Sequence, residues 1–120
     1  MAAFTPDAFK KELIAILDYW EKYGQDNEKG GFYGRVNYDN QPIKDADRSV
    51  VLAGRILWTF SLAHRLFKQA KHLTLADRAY QQLTKHFIDP KHGGVYWSVT
   101  ADGTPKETKK QIYGNAFAMY

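Results

Sequence analysis

Cysteine is absent from the 120-residue chain, and it contains only four prolines and two methionines. Without cysteine the chain cannot form a disulfide, a thiolate-ligated metal site or a thiolate nucleophile. Long hydrophobic runs are also missing, because the longest uninterrupted ones fall far short of the ~20 residues that a membrane helix needs. The first residues lack a basic stretch followed by an apolar one, so they do not resemble a secretory signal. These absences predict a soluble, cytoplasmic protein without a membrane segment.

The charge pattern also argues against nucleic acid as a partner. The net charge of +4 comes from 17 basic and 13 acidic residues. The basic residues are spread along the chain, and acidic Glu107 interrupts their densest stretch, 106–110. A surface that binds a phosphate backbone instead has clustered basic residues. The apolar share of 44% suffices for the core of one small domain.

An internal repeat is the most informative feature of the sequence. Six positions of segment 30–42 recur in segment 93–105, each 63 residues later, and they are Gly, Gly, Tyr, Val, Asp and Pro. A repeat of this kind predicts copies of one supersecondary unit that bury their apolar faces against each other. We expect each copy to be a helix, a short β-hairpin and a helix, with the units at residues 1–68 and 69–120.

Four helices are predicted from apolar residues at three- and four-residue spacing. The first begins after Thr5 and Pro6, a capping hydroxyl followed by proline at the first helical position, and ends near Gly24. The others are expected at about 46–68, 73–87 and from 109 onward. The fold class is therefore all-α with short β-hairpins. Because the fourth pattern still runs at Tyr120, we expect about two units of a longer array.

Arg55 is the first candidate for chemistry. It lies beside Gly54 in an almost wholly apolar helical segment, and burial of a guanidinium is costly unless a carboxylate or an anionic ligand pairs with it. An internal salt bridge and a ligand site are both open at this point. The second copy places Tyr113 and Asn115 around Gly114 in the matching position, so these polar groups would converge if matching helices lined a ring. Trp58 could stack on a sugar ring or belong to the core.

The four histidines do not form an obvious catalytic or metal site. His64 lies on the apolar stripe of the second helix, where a core histidine satisfied by one hydrogen bond is expected. His72, His86 and His92 fall at helix ends or in a loop, where polar side chains are common. No two histidines have the spacing of a metal motif. We expect no metal and no other cofactor.

Four segments carry a resemblance to a known family. They are EKGGFYG at 28–34, SVVLAGRILWTFS at 49–61, HFIDP with GGVYW at 86–97, and KQIYGNAFA at 110–118. In this order they resemble the N-terminal part of the N-acylglucosamine 2-epimerase family, and within it the cellobiose 2-epimerases. The resemblance implies the N-terminal part of an (α/α)6 barrel of repeated helix pairs, and a small carbohydrate as substrate.

The resemblance also implies a reaction, the C2 epimerisation of the reducing-end sugar of cellobiose or related β-1,4 disaccharides through an enediolate, without a metal. By motif position Arg55 is the family arginine, expected to act in catalysis by stabilising the developing oxyanion. Tyr113 matches a substrate-contacting tyrosine, and Asn115 and Trp58 are further substrate-binding candidates. None of the histidines matches the family's acid/base positions, so the 120 residues alone are expected to be inactive.

Three other functions stay open. They are N-acylglucosamine 2-epimerisation, aldose–ketose isomerisation, and a non-catalytic helical-repeat binding module in which Arg55 is paired in the core. A glycoside hydrolase would need two opposed carboxylates. Asp45 and Asp47 are instead expected to cap the second helix.

Overall fold

The computed structural model describes residues 4–120, which are mostly helical with one small antiparallel sheet. The strands are β1 (Arg48–Ser49), β2 (Ser98–Val99) and β3 (Pro105–Glu107), in that order across the sheet. The helices are α1 (Pro6–Tyr23), α2 (Val50–Phe67), α3 (Ala70–Gln82), which continues into a π-helical turn (Leu83–Phe87), and α4 (Ile112–Met119).

Helix α1 has the bounds that the sequence predicts. The Thr5 hydroxyl accepts a hydrogen bond from the Ala8 amide at 3.2 Å, and Gly24 is the C-cap. These contacts satisfy backbone groups that a helix end leaves without intrahelical partners. The apolar stripe is only partly buried, since Leu17 is in the core whereas Phe9 and Ile16 are exposed.

Helix α2 begins at Val50 and not at Ala46 as predicted, because the residues just before it form a strand. In β1, Arg48 pairs with Val99 and Ser49 with Ser98, which joins the first unit to the second. The Ser49 hydroxyl caps α2 by accepting from the Leu52 amide at 3.2 Å. The expected caps, Asp45 and Asp47, are therefore wrong.

The other two helices also differ from the prediction at their starts. Helix α3 begins at Ala70, earlier than predicted, and its π-helical continuation ends at Phe87 as expected. Helix α4 begins at Ile112 rather than near Lys109. In each case the shift stays within the few residues by which helix ends depart from sequence patterns.

Helix α2 lies at the centre of the core and belongs to two apolar clusters. The first contains Leu17, Phe32, Ile56, Phe60, Ala63, Leu75, Ala76 and Ala79. The second contains Val50, Ala53, Leu83, Phe87, Val95 and Val99. By length and composition α2 is also apolar enough to cross a membrane, which the absence of long apolar runs did not predict. It packs against α3 and α4, and a third of its residues are buried.

The two copies of the repeat share their backbone geometry. We call residues 24–33 the first loop and residues 87–96 the second loop. Three backbone hydrogen bonds of the first loop recur 63 positions later in the second loop, all within 2.8–3.0 Å. In the first loop they join Asp26 N to Gly31 O, Gly30 N to Asp26 O and Tyr33 N to Gly24 O. In the second they join Asp89 N to Gly94 O, Gly93 N to Asp89 O and Tyr96 N to Phe87 O. Both glycines of each pair have φ between +69° and +81°, which explains why glycine recurs there. The repeated sequence therefore folds into a repeated loop geometry, while the units expected at residues 1–68 and 69–120 stay a prediction.

The two hairpins are less alike than the two loops. The second is formed by β2 and β3, with Gly103 in the turn at a φ of +84°. The first contains only one bridge, between Val36 and Pro42, with Asn40 in the turn at a φ of +59°. The first predicted hairpin is thus shorter than expected.

Candidate functional site

Arg55 lies on α2 and is exposed, contrary to the expectation that the apolar segment would bury it. Its guanidinium carbon lies 5.0 Å from the centre of the Phe117 ring on α4, a cation–π contact. Within residues 4–120 no carboxylate forms an ion pair with it. The internal salt bridge considered for Arg55 is therefore absent from the described part of the chain, and the arginine is exposed to solvent.

Tyr113 joins the same group of side chains. Its ring centre lies 4.8 Å from that of Phe117, four residues further along α4, and the tyrosine is 55% exposed. Residues four apart lie on the same face of a helix, so the two rings form one surface. Arg55, Phe117 and Tyr113 thus make a continuous array, which we call the exposed ladder. Arg55 and Tyr113 thus both contact the Phe117 ring, and their shared role in a ligand site stays a prediction.

Trp58 lies one turn after Arg55 on α2. Its ring stacks on that of Tyr120 with 5.5 Å between centres and 20° between planes, and the tryptophan is 41% exposed. A cavity of about 330 Å³ lies beside this stack between α2 and α4, and it is lined by Gly54, Leu57, Trp58, Ser61, Leu62, Arg65, Phe117, Ala118, Met119 and Tyr120. An apolar wall with a few polar groups is typical of a small-molecule site.

Two glycines bring α2 and α4 close enough to form this surface. A Cβ on Gly54 would lie 2.5 Å from the Phe117 carbonyl oxygen, and a Cβ on Gly114 would lie 2.9 Å from a Val50 methyl group. Contacts that short do not occur between real side chains, so only glycine fits at either position. The glycine beside Arg55 therefore accommodates the backbone of α4.

The Asn115 side chain contacts backbone groups outside the exposed ladder. Its Oδ1 accepts a hydrogen bond from the Val95 amide at 3.0 Å, and its Nδ2 donates to the Gln111 carbonyl at 2.8 Å. Both polar atoms of the amide are thus engaged by backbone groups. The hydrogen bonds of the Asn115 amide therefore go to backbone groups and not to Arg55.

The histidines lie away from the exposed ladder. His64 has the single hydrogen bond expected for it, between Nδ1 and the Gln69 carbonyl at 3.1 Å, but it is only partly buried and not in the core as predicted. His72 is in the first turn of α3, but it is buried between Phe60 and Phe67 rather than solvated. Burial, with a smaller contribution from the charge of Lys85, lowers the pKa of His86. Residues 4–120 contain no group of three side chains that could hold a metal ion.

Asp26 is a buried carboxylate that the sequence analysis missed. Its Oδ1 accepts from the amides of Glu28 and Lys29, each at 2.9 Å, and its Oδ2 pairs with Arg48, which is also buried. Arg48 in turn donates to the Gly30 carbonyl at 2.7 Å. The pair therefore holds the first loop to strand β1.

Asp89 performs the same role in the second loop. Its Oδ1 accepts from the amides of Lys91 and His92, and its Oδ2 accepts from the Lys110 ammonium at 2.7 Å. The hydrogen bond from Lys110 is the main reason why the pKa of Asp89 lies well below its usual range. Asp26 and Asp89 are also 63 residues apart, and each lies four residues before the first glycine of its pair. Extending the sequence comparison of the repeat by four residues toward the N-terminus would have found them.

The chain is mostly helical, and one loop geometry occurs in it twice. An exposed surface of arginine and aromatic side chains lies between α2 and α4. These features define a helical-repeat protein with a candidate ligand site. Residues 17–120 match the model of the N-acylglucosamine 2-epimerase (GlcNAc 2-epimerase) family. The chain therefore belongs to that family, as the sequence resemblance predicts.

Named relatives agree with this assignment. A cellobiose 2-epimerase of Bacteroides fragilis is 46% identical over 112 residues, which cover 92% of this chain and 29% of the relative. A cellobiose 2-epimerase of Ruminococcus albus is 40% identical over 105 residues, covering 88% of this chain and 27% of the relative. The rat N-acylglucosamine 2-epimerase is 26% identical over 111 residues, covering 89% and 26%.

Solved structures agree as well. The crystal structure of a sugar epimerase from a ruminal bacterium has a TM-score of 0.90 at 38% identity, and the match covers 95% of this chain and 29% of that one. The cellobiose 2-epimerase of Spirochaeta thermophila has a TM-score of 0.86 at 39% identity, with the same coverage. The chain thus spans less than a third of the length of the relatives that it matches.

Proposed function

We propose that the whole protein containing these residues is a sugar 2-epimerase that acts on cellobiose or a related β-1,4-linked disaccharide, without a metal. Family membership and the names of the two relatives with 46% and 40% identity support the reaction class and the substrate. We further propose that residues 4–120 form the N-terminal part of an (α/α)6 barrel, a proposal supported by the repeat and the high structural similarity to sugar epimerases.

The proposed reaction inverts the configuration at C2 of the ring-opened reducing-end sugar. A base removes the C2 proton, the electron pair of the broken C–H bond forms the enediolate, and an acid returns a proton to the opposite face. Negative charge develops on the sugar oxygen atoms in the first step. A fixed cation beside these oxygens stabilises the transition state more than the ground state.

Arg55 is proposed to be that cation, and its exposed guanidinium, which forms no ion pair within residues 4–120, is the observation that carries the proposal. An arginine already paired with a carboxylate would have little charge left to offer, but within residues 4–120 Arg55 contacts only the Phe117 ring in this way. The planar guanidinium presents several donors in a fixed arrangement, which suits two neighbouring sugar oxygens.

Two aromatic residues are proposed to contact the sugar. Tyr113 offers a hydroxyl group and an exposed ring next to Phe117, and Trp58 offers an indole beside the cavity of about 330 Å³. Aromatic faces pack well on the apolar C–H faces of sugars. Asn115 is left out of the proposed contacts because both polar atoms of its amide are engaged by backbone.

The acid and base are proposed to be histidines supplied from outside these 120 residues. Residues His64, His72, His86 and His92 take no part in the exposed ladder, and His72 is buried among aromatic rings. The described residues would then supply one wall of the site. The 120 residues alone are expected not to turn over the sugar.

The test replaces Arg55 in the full-length protein and assays cellobiose in D₂O. We expect Arg55→Ala to lower kcat about 10²–10³-fold, as removal of an oxyanion donor does elsewhere, and Arg55→Lys to recover part of the loss. Lys11→Ala is the matched control, because Lys11 is an exposed cation on a different helix. The melting temperature should change little in any of the three variants, since both side chains are exposed.

The isotope content of the product tests the mechanism independently. Deuterium at C2 of the product is expected, since solvent supplies the returning proton. Retention of the original hydrogen would contradict deprotonation, and an Arg55→Ala variant with full activity would contradict the role of the guanidinium. Faster turnover of N-acylglucosamine than of cellobiose would replace the proposed substrate with that of the more distant relatives.

A further inference from the structure

Helix α4 is short and lacks a side-chain cap at its start. It has eight residues, Ile112–Met119, and the N-cap residue Gln111 makes no side-chain capping bond. A helix of about two turns is marginal by its own hydrogen bonds. Its position must therefore come from contacts with the rest of the fold.

Asn115 makes a directed contact of that kind. It links the Val95 amide of the second loop to the Gln111 carbonyl at the start of α4, at 3.0 and 2.8 Å. Val95 is buried and belongs to the second apolar cluster, so it is a rigid point of attachment. The Gly54 and Gly114 contacts set how closely the helices approach, whereas the hydrogen bonds of Asn115 also restrict the rotation of α4 about its axis.

The exposed ladder depends on that rotation. Tyr113 and Phe117 lie two residues on either side of Asn115, and residues two apart point to nearly opposite sides of a helix. The amide therefore holds one side of α4 to the second loop, while on the other side Phe117 contacts Arg55 and Tyr113 packs on Phe117. A rotation of α4 would move both rings relative to the guanidinium, which lies 5.0 Å from the Phe117 ring.

We propose that Asn115 is a positioning residue: by tying the first turn of α4 to Val95, it places Tyr113 and Phe117 for sugar binding against Arg55. The proposal rests on the proposed function for its kinetic consequence, because only then do Arg55 and Tyr113 contact substrate. Its structural consequence, an ordered first turn of α4, needs no substrate.

The internal repeat supplies a matched control. Gln82 holds Phe32 of the first loop as Asn115 holds Val95, because its Oε1 accepts from the Phe32 amide at 3.1 Å and its Nε2 donates to the Phe32 carbonyl at 3.3 Å. Phe32 and Val95 are 63 positions apart. Gln82 is buried, and its amide hydrogen-bonds to the first loop and not to α4, so its removal tests the loss of a loop-holding amide.

The experiment compares Asn115→Leu, Asn115→Asp and Gln82→Leu in the full-length protein. For Asn115→Leu we expect about tenfold faster amide exchange across residues 112–119 and a KM about tenfold higher, with kcat changed much less. Asn115→Asp should recover part of both effects, because its carboxylate oxygen still accepts from Val95 but can no longer donate to the Gln111 carbonyl, and it remains informative if the leucine variant does not fold. Gln82→Leu should lower the melting temperature without changing KM or the exchange of 112–119.

Two results would overturn the proposal. Unchanged exchange across 112–119 in Asn115→Leu would show that the amide does not hold α4. A higher KM without faster exchange would mean that Asn115 contacts the sugar directly. If the unaltered protein does not epimerise cellobiose, the proposed function fails, and the exchange measurement still decides the structural role of Asn115.

Discussion

The first and second loops have the same backbone but different ion pairs. In both loops an aspartate accepts two backbone amides, and the glycine pair that follows it has positive φ angles. Asp26 pairs with Arg48, whose side chain is 6% exposed, whereas Asp89 pairs with Lys110, whose side chain is 33% exposed. The comparison shows that one short pattern specifies the loop, while its surroundings decide how strongly the ion pair contributes to stability.

The elements that carry the two cations explain the difference. Arg48 lies in β1, whose pairing with β2 draws the side chain into the protein. Lys110 lies in the segment before α4, where its ammonium is also 4.2 Å from the centre of the Tyr96 ring. A buried guanidinium can satisfy several acceptors with fixed geometry, whereas a partly exposed ammonium keeps its contact with water.

The largest effect is expected from Arg48→Met. The substitution leaves the Asp26 carboxylate buried without its cation, and breaking a buried pair in this way costs about 3–5 kcal/mol. The free energy of unfolding, measured with urea, should fall accordingly. Adding Asp26→Asn should restore part of it, because an amide oxygen can still accept from Glu28 and Lys29. A loss of unfolding free energy no greater than that of Lys110→Met would contradict the stronger ion pair assigned to the first loop.

A smaller loss is expected from Lys110→Met, measured by thermal unfolding. Asp89 keeps its two backbone amides, and His92 lies 3.4 Å from its free oxygen. Water can replace part of what Lys110 supplies, because its side chain is a third exposed. Lys109→Met is the control, since Lys109 is an exposed neighbour whose ammonium lies 3.9 Å from Glu107 and 5.4 Å from the centre of the Trp97 ring rather than on Asp89. An equal drop in melting temperature for both lysines would show that the Asp89 pair contributes nothing.

The pH dependence of the free energy of unfolding tests the contribution of Lys110 independently. Lys110 holds the pKa of Asp89 below its unfolded value of about 4, so the stabilisation is complete above that pH and is lost as pH falls toward the lower folded pKa. Stability should therefore decline below about pH 4, and Lys110→Met should decline less steeply there. Parallel curves for the two proteins would contradict the assigned cause of the pKa shift.

The smallest difference between the loops is expected from Gly30→Ala and Gly93→Ala, which should destabilise the protein equally. Both glycines have positive φ, +81° and +73°, and an added Cβ would meet nothing within 4 Å at either position. The cost is then backbone strain alone, about 1–2 kcal/mol. Urea unfolding of the two variants measures it. Unequal losses would show that the two loops are less equivalent than their hydrogen bonds indicate.

The helices and the repeat were predictable from the sequence because their signals are local. Thr5, Pro6 and Gly24 mark the ends of α1, and the Gly-Gly pairs mark loops that need positive φ. The start of α2 was predicted wrongly because Arg48 and Ser49 pair with a strand fifty residues away, which no local pattern reveals. Tertiary contacts override local preference at such places.

The candidate site was likewise only partly predictable from the sequence. Its residues Arg55, Tyr113 and Trp58 were identified from the sequence, because an arginine in an apolar helix and aromatic residues beside a repeat are visible there. The exposure of Arg55, the place of Phe117 between it and Tyr113, and the backbone partners of Asn115 were decided only by the packing of α2 against α4. The sequence determined which side chains each helix presents through its period and its caps. The tertiary structure alone decided which of them meet, because that depends on the closeness and rotation of two helices far apart in the chain.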